Sequence, residues 1–184
     1  MAPVINATAG DAQANSYLSV VDADSIADSM LGTLAWTTAS ADDRARALVT
    51  ATNGLDTLTY IGTKTTDTQA LLWPRTSASC GDKAPADDEI PREIELATFD
   101  LAEALLADST ILRNTQAGGE LVPGVPNADL RRLKLDVLEL EWKGTGSRTT
   151  RPASPLTALP HLRTLIGCLL VGQQSTNLIS VVRS

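Results

Sequence analysis

Apolar residues in this chain recur mainly at helical spacing, and the clearest run covers 90–107. Ile94, Ala97, Leu101 and Leu105 stand at i, i+3, i+7 and i+11, with Ala104 beside them. That spacing predicts a helix with one apolar face about four turns long. Pro91 suits the first helical position, where a missing N–H costs nothing. Glu93 and Glu95 put negative charge near the positive end of the helix dipole. Leu96, Phe99 and Leu106 fall outside the stripe, so this helix is expected to have neighbours on more than one side. We read it as the core helix of the domain.

The same pattern gives further elements. Ser19 and Asp22 have capping-box spacing, and Ser40 and Asp43 repeat it. The first cap opens a helix with Ala23, Ile26 and Met30 on one face, ending near Gly32. The second opens a helix carrying Leu48, Ala51, Leu55 and Leu58. Trp36 is expected in the connection between them, plugging the end of the core. Val4-Ile5 is a candidate short edge strand, and Thr63–Asp67 reads as a polar loop. Pro74 ends any helical turn through Ala70–Leu72. Residues 76–89 read as an exposed loop.

Leu130–Trp142 carries two patterns. Leu130, Leu133, Val137 and Leu140 suit a helix. Leu133, Leu135 and Val137 also alternate with charges, and Leu138, Leu140 and Trp142 alternate in the opposite phase. A strand with a bulge at Val137/Leu138, or a strand pair, accounts for that switch, and strand is preferred. Gly144–Pro155 reads as a linker. Leu156–Leu170 is expected to form a helix with Leu159, Leu162, Ile166 and Leu169 on one side. Gln173–Asn177 is polar, and Leu178–Ser184 is a β-prone tail. The expected fold is therefore mainly α: a small helical bundle with a small β element and an extended C-terminal arm. Its parts are a helical domain over 1–143, a linker over 144–155, and a C-terminal helix and tail over 156–184.

At 184 residues, one core is the natural expectation. Aromatics make up only 3%, so Leu, Ile, Val and Ala must build that core. A net charge of −7 argues against a phosphate-binding surface, which needs clustered Lys and Arg. Met1–Ser16 lacks the basic start and apolar run of a secretory signal. No apolar run approaches the roughly 20 residues of a membrane span. Cys80 and Cys168 are far apart and without a CxxC partner, so they are expected to be free thiols in a reducing cytoplasm.

Candidate chemistry is sparse. His161 is the single histidine, expected to face solvent at a helix start. No GxSxG, GxGxxG or GxxxxGK[ST] is present. Asp42/Asp43 and Asp87/Asp88/Glu89 lack the spacing of a calcium loop and read as caps and solvated loops. Arg131/Arg132/Lys134 and Arg148/Arg151 are small basic clusters, read as a salt-bridging or solvated strand edge. No catalytic, cofactor-binding or metal-ligating residue is assigned, and the chain is expected not to be an enzyme.

An ordered set of segments carries a resemblance. It comprises 10–24, with Tyr17 in Asn15-Ser16-Tyr17-Leu18, then Trp36, 46–52 and Gly62. Gln69-Ala70-Leu71-Leu72-Trp73-Pro74-Arg75 follows, and then Ile90-Pro91-Arg92-Glu93-Ile94 with Ala97 and Leu101-Ala102. From about residue 10 to 107 this set resembles the small head–tail connector proteins of tailed bacteriophages, often labelled "DnaT-like single-stranded DNA-binding protein". Ser25-Ile26 departs from the family's usual aromatic, and Ile26 can fill the same face. From Asn114 onward the likeness is loose.

The resemblance implies a ring, expected to be dodecameric, bound under the portal protein and to a downstream neck or tail protein. Double-stranded DNA would pass through the lumen without sequence-specific contact, and no membrane is involved. The implied location is the virion neck, with assembly in the host cytoplasm. Tyr17, Trp36, Gln69, Trp73, Pro74, Arg75 and Pro91 are expected to be structural. Leu178, Ile179, Val181, Val182 and Arg183 are expected to bind the portal or a neighbouring subunit, because apolar β-branched residues on a flexible tether typically add to a partner. The alternative is a single-stranded DNA-binding replication accessory.

Overall fold

A computed structural model describes residues 3–80, 85–112, 132–135, 138–141 and 154–172. The element order is α1 (Val20–Ser29), α2 (Leu34–Thr38), α3 (Ala41–Leu55), β1 (Thr63–Lys64), β2 (Arg75–Thr76) and α4 (Arg92–Ala107). These are followed by β3 (Arg132–Leu135), β4 (Leu138–Glu141), α5 (Pro155–Ala158) and α6 (His161–Ile166), with a 3-10 turn at Gly167–Leu169. The fold is mainly helical with a small antiparallel β element.

Both capping boxes are present. Ser19 and Ser40 accept the backbone N–H of Asp22 and Asp43, and each hydroxyl donates back to that aspartate's carboxylate. Helix α4 is the centre of the body. Its Ile94, Ala97, Leu101 and Leu105 are buried, and Thr98, Phe99 and Ala102 are buried on flanking faces. α3 packs along it, and α1, α2 and α6 also touch it. Pro91 caps α4 one position earlier than the spacing suggested.

Several expectations need correction. α1 stops at Ser29 with Met30 as its cap, and Gly32 (φ +86°) makes the turn beyond it. α3 stops at Leu55, where Asp56 caps it, rather than at Leu58. Trp36 is buried in the connection as expected, but that connection carries a short helix, α2. Val4-Ile5 forms no strand, and Asn15 holds that segment through its side chain. No helical turn forms at Ala70–Leu72. The supposed loops at 63–67 and 76–89 pair in part, Thr63 with Thr76 and Lys64 with Arg75. Gly62 is required there, since its φ is +72° and a Cβ would run into the Thr76 carbonyl oxygen. Helix 156–170 breaks at Leu159, because Pro160 keeps the preceding residue out of the helical region.

The cysteines are also corrected. Cys80 and Cys168 form a disulfide, with Cα atoms 5.5 Å apart across a separation of 88. Distance along the chain concealed their pairing. The bridge ties the segment after β2, where Ala78 is buried, to the turn after α6. Leu170 pairs with Tyr60 beside it, and the Val171 N–H donates to Thr59.

The phase switch near Val137 is a strand pair: β3 and β4 run antiparallel with Arg132 opposite Glu141 and Lys134 opposite Glu139. Of the expected linker 144–155, Ser154 instead caps α5 and Pro155 is its first, buried residue, while 144–153 and the tail residues Leu178, Ile179, Val181, Val182 and Arg183 lie outside the described residues.

Candidate functional site

Five of the motif residues, Tyr17, Gln69, Trp73, Pro74 and Arg75, gather near one end of α3. Asp56 caps that helix, and Tyr17 arrives from the segment before α1. The Tyr17 hydroxyl donates to Asp56 Oδ1 and accepts the Trp73 N–H at 3.3 Å. Asp56 Oδ2 accepts the Leu72 N–H at 3.2 Å, and the Tyr17 N–H is held by Thr52 Oγ1 at 3.2 Å. The loop 69–74, which has no regular structure of its own, is thereby fastened to α3 through side chains.

Gln69 within that loop and Arg75 just after it brace it. Gln69 Nε2 donates to the carbonyls of Leu71 (2.9 Å) and Pro74 (3.0 Å), and its Oε1 accepts the Thr66 N–H. Arg75 donates to four carbonyls: Gly62 (2.6 Å), Ile61 (2.7 Å), Leu72 (3.2 Å) and Tyr60 (3.4 Å). Its planar fork suits this task, because one rigid group satisfies several otherwise unpaired backbone acceptors. Trp73 is 1% exposed, stands edge-on to Tyr60 at 5.5 Å and precedes a cis bond to Pro74. Its Nε1 has no hydrogen-bond partner among the described residues.

The electrostatics are those of a buried polar latch. Burial pushes the Asp56 carboxyl above its usual range, opposed by the bonds from Tyr17 and Leu72. Burial, and then the Asp56 charge, pushes the Tyr17 hydroxyl up, so it stays protonated as a donor. Burial does the same to Tyr60, whose hydroxyl donates to Leu55. Asp56 was missed by sequence reasoning: a lone aspartate after a helix normally faces water. Both of its carboxylate oxygens are spent on the fold.

Trp36 belongs to a second cluster, separate from the latch. Its ring lies 5.4 Å from Phe99, and its Nε1 donates to Asp24 at 2.8 Å. The Arg44 guanidinium stacks 5.7 Å from the ring while pairing with Asp24 at 3.0 Å. Pro91 is buried at the head of α4. His161 is 57% exposed at the start of α6 and pairs with Asp100 of α4 at 3.3 Å. Burial raises the Asp100 carboxyl, and His161 pulls it back down. This pair joins α6 to α4.

Surface charge is one-sided. The described residues outside the strand pair hold sixteen carboxylates, and their cations are Arg44, Arg46, Lys64, Arg75, Arg92 and Arg163. Arg46 bonds to Asp42 and Asp43, Arg92 to Glu95, and Lys64 to the Gln69 carbonyl. Tyr17, Trp36, Tyr60, Trp73 and Phe99 are each at most 4% exposed. Trp142, the sixth aromatic, lies outside the described residues. Among the described residues no group of His, Cys, Asp or Glu is placed to hold a metal, and no helix is long and apolar enough to cross a membrane.

One groove stands out on this surface. It has a volume of about 490 Å³ and lies between α2, the first half of α3 and the end of α4. Leu105, Leu106, Leu112 and Ala47 give it an apolar lining, and Asp43 with Arg46 marks its rim.

Compared with known proteins, the whole chain, residues 1–184, matches the model of a family described as "Putative DnaT-like ssDNA binding protein". No curated protein and no solved structure matches it.

Proposed function

The chain belongs to this DnaT-like ssDNA-binding protein family, and from that premise we propose that it is a structural head-to-tail connector of a tailed bacteriophage. In this reading it is not an enzyme. It forms a ring under the portal protein, contacts a downstream neck or tail protein, and surrounds the channel through which double-stranded DNA passes. The tail residues Leu178, Ile179, Val181, Val182 and Arg183 serve as its docking arm.

The observation that carries the reading is the engagement of the body's cations and aromatics. Gripping a nucleic acid takes exposed Lys and Arg along a groove, and gripping single strands adds aromatic faces for the bases. Here five of the six body cations are paired with carboxylates, carbonyls or a ring of the same chain, Arg46 and Arg92 at the surface, and five aromatics are buried. The outward charge is negative. Such a surface lets DNA slide past, because phosphates find few cations to hold them. The inner wall of the ring is accordingly acidic or neutral.

The second reading, single-stranded DNA binding, is favoured by the family's own description. It would have to use Arg132 and Lys134 of β3 and the seven Lys and Arg outside the described residues, together with Trp142. Fluorescence anisotropy with a labelled single-stranded oligonucleotide at low salt separates the two. The connector reading expects no submicromolar, salt-sensitive binding, and it expects negative-stain images of rings seated on purified portal. Tight oligonucleotide binding without portal binding would reverse the ranking.

A further inference from the structure

We propose that the groove between α2, α3 and α4 holds residues 178–183 of the same chain, so that the tail is sheathed until a partner draws it out. The inference deepens the connector reading above, on which it rests only for the arm's destination.

The order of groups along the groove matches the order along the tail. Asp43, Ala47, Thr50 and Gly54 stand at i, i+4, i+7 and i+11 on one face of α3. Leu112 lies against Gly54 at one end of that row, and Leu105 and Leu106 line the groove with it. At the other end Arg46 faces two carboxylates, Asp42 at 3.5 Å and Asp43 at 2.6 Å, which leaves one negative charge over. The tail runs in the same sense: Leu178, Ile179, Val181 and Val182 come first and Arg183 last. From Gly54 to Asp42 is about 18 Å at 1.5 Å per residue, and an extended chain from Leu178 to Arg183 covers about 17 Å. With Leu178 beside Leu112, Arg183 therefore meets the acidic rim. Extended segments of this kind bind through alternate side chains in apolar recesses.

Placement selects the chain's own tail. Val171 leaves the body against Thr59, and the Leu58 N–H donates back to Leu55, so the exit lies by the end of α3 that carries Gly54 and Leu112. The tether from Gly172 to Leu178 reaches about 20 Å, whereas Thr50 is only about 13 Å from Thr59. A short tether holds its segment at an effective concentration on the order of millimolar. At micromolar protein, a second copy of equal fit cannot compete with that. Residues 113–131 also leave from Leu112, but there Leu121-Val122 follows Glu120 instead of preceding a cation, so the charge opposes the rim.

Photo-crosslinking on the full chain tests this, with p-benzoylphenylalanine in place of Thr50, an exposed position lining the groove. We expect a product of monomer mass, mapped by mass spectrometry to 178–183, whose yield does not change on dilution. Arg183→Glu should cut that yield several-fold. Hydrogen exchange on the unaltered chain gives a second reading: amides of 178–183 should exchange about tenfold or more slowly than in a free peptide of residues 172–184. Thr50→Trp, which fills the groove, should remove that protection while its melting temperature stays near wild type. It should also tighten portal binding several-fold, because no arm then has to be drawn out first. Cross-links at twice the monomer mass would put a second copy in the groove, and cross-links to 113–131 would put that segment there. Either result overturns the proposal, as does unprotected exchange at 178–183. Portal binding is read separately. Rings on portal with an unprotected tail would keep the connector reading and sink the sheath, and a protected tail without portal binding would do the reverse.

Discussion

Tyr17 and Asp56, 39 residues apart, share the hydrogen bond on which the loop 69–74 is hung. The same hydroxyl accepts the Trp73 N–H, and the same carboxylate accepts the Leu72 N–H. Removing one member leaves buried partners unpaired, which typically costs about 1–3 kcal/mol per group. Tyr17→Phe is expected to lower stability by roughly that amount. Tyr17→Phe with Asp56→Asn should be less destabilised than the sum of the singles, since both act on one network. Urea melts of the four proteins measure this, and strict additivity would mean that the two residues act separately.

Trp73 fills the space between that loop and Tyr60, at 1% exposure. Trp73→Ala is expected to cost on the order of 3–5 kcal/mol, the usual range for emptying a buried aromatic site. Thermal melts check it. Wild-type stability in that variant would place Trp73 at an interface instead.

The pH dependence has a definite sign. Asp56, Asp100 and Glu103 all have carboxyls raised by burial, with Asp100 adding to the shift at Glu103. A carboxyl raised in the folded state binds protons more readily there than in the unfolded chain. Its contribution is therefore present at low pH and lost as pH rises through the folded value. Relief of repulsion among the other carboxylates works in the same direction. The melting temperature should rise as pH falls from neutral into the ordinary carboxylate range, and Asp56→Asn should flatten that slope. A melting temperature that falls steadily over the same range would contradict the assignment.

The local rules read well from sequence, and the long-range ones did not. Ser19/Asp22 and Ser40/Asp43 announce their helices because a cap is a four-residue event. Ile94, Ala97, Leu101 and Leu105 announce α4 because its buried stripe is wide and regular. Leu159 was read through by periodicity although Pro160 carried the break signal. The latch is different in kind. Gln69, Trp73 and Arg75 stood out only as part of an ordered set, and Asp56 not at all. Their partners are backbone groups that tertiary folding brings near, and no spacing encodes them.

The bridge between Cys80 and Cys168 was hidden for the same reason, and its effect can be measured. A cross-link over 88 residues restricts the unfolded chain by roughly 4–5 kcal/mol in the chain-entropy model. Dithiothreitol, or Cys80→Ser with Cys168→Ser, should lower the melting temperature by roughly 10–20 °C. Leu162, Ile166 and Leu169 stay buried against the body and should keep the C-terminal segment folded. Melts with and without reductant test the size. Proteolysis confined to the last helices after reduction would show that the bridge alone holds them.

The final prediction concerns the chain between α4 and α5. A Cβ built on Gly54 would lie 3.0 Å from Leu112 and 3.6 Å from Pro155, so the two ends of 113–153 meet beside one residue of α3. Closing them with a short Gly/Ser linker demands little rearrangement of the body. Loop-closure entropy falls by about 0.6 kcal/mol for each halving of length, so excision should stabilise the remainder by roughly 1–2 kcal/mol if 113–153 adds no buried contacts. Differential scanning calorimetry of the excised chain gives the answer. A melting temperature raised by a few degrees, with unchanged near-ultraviolet dichroism from the buried aromatics, is the expected result. A collapse in stability would mean that residues in 113–153 complete the core beside Leu112, and that the body cannot stand without them.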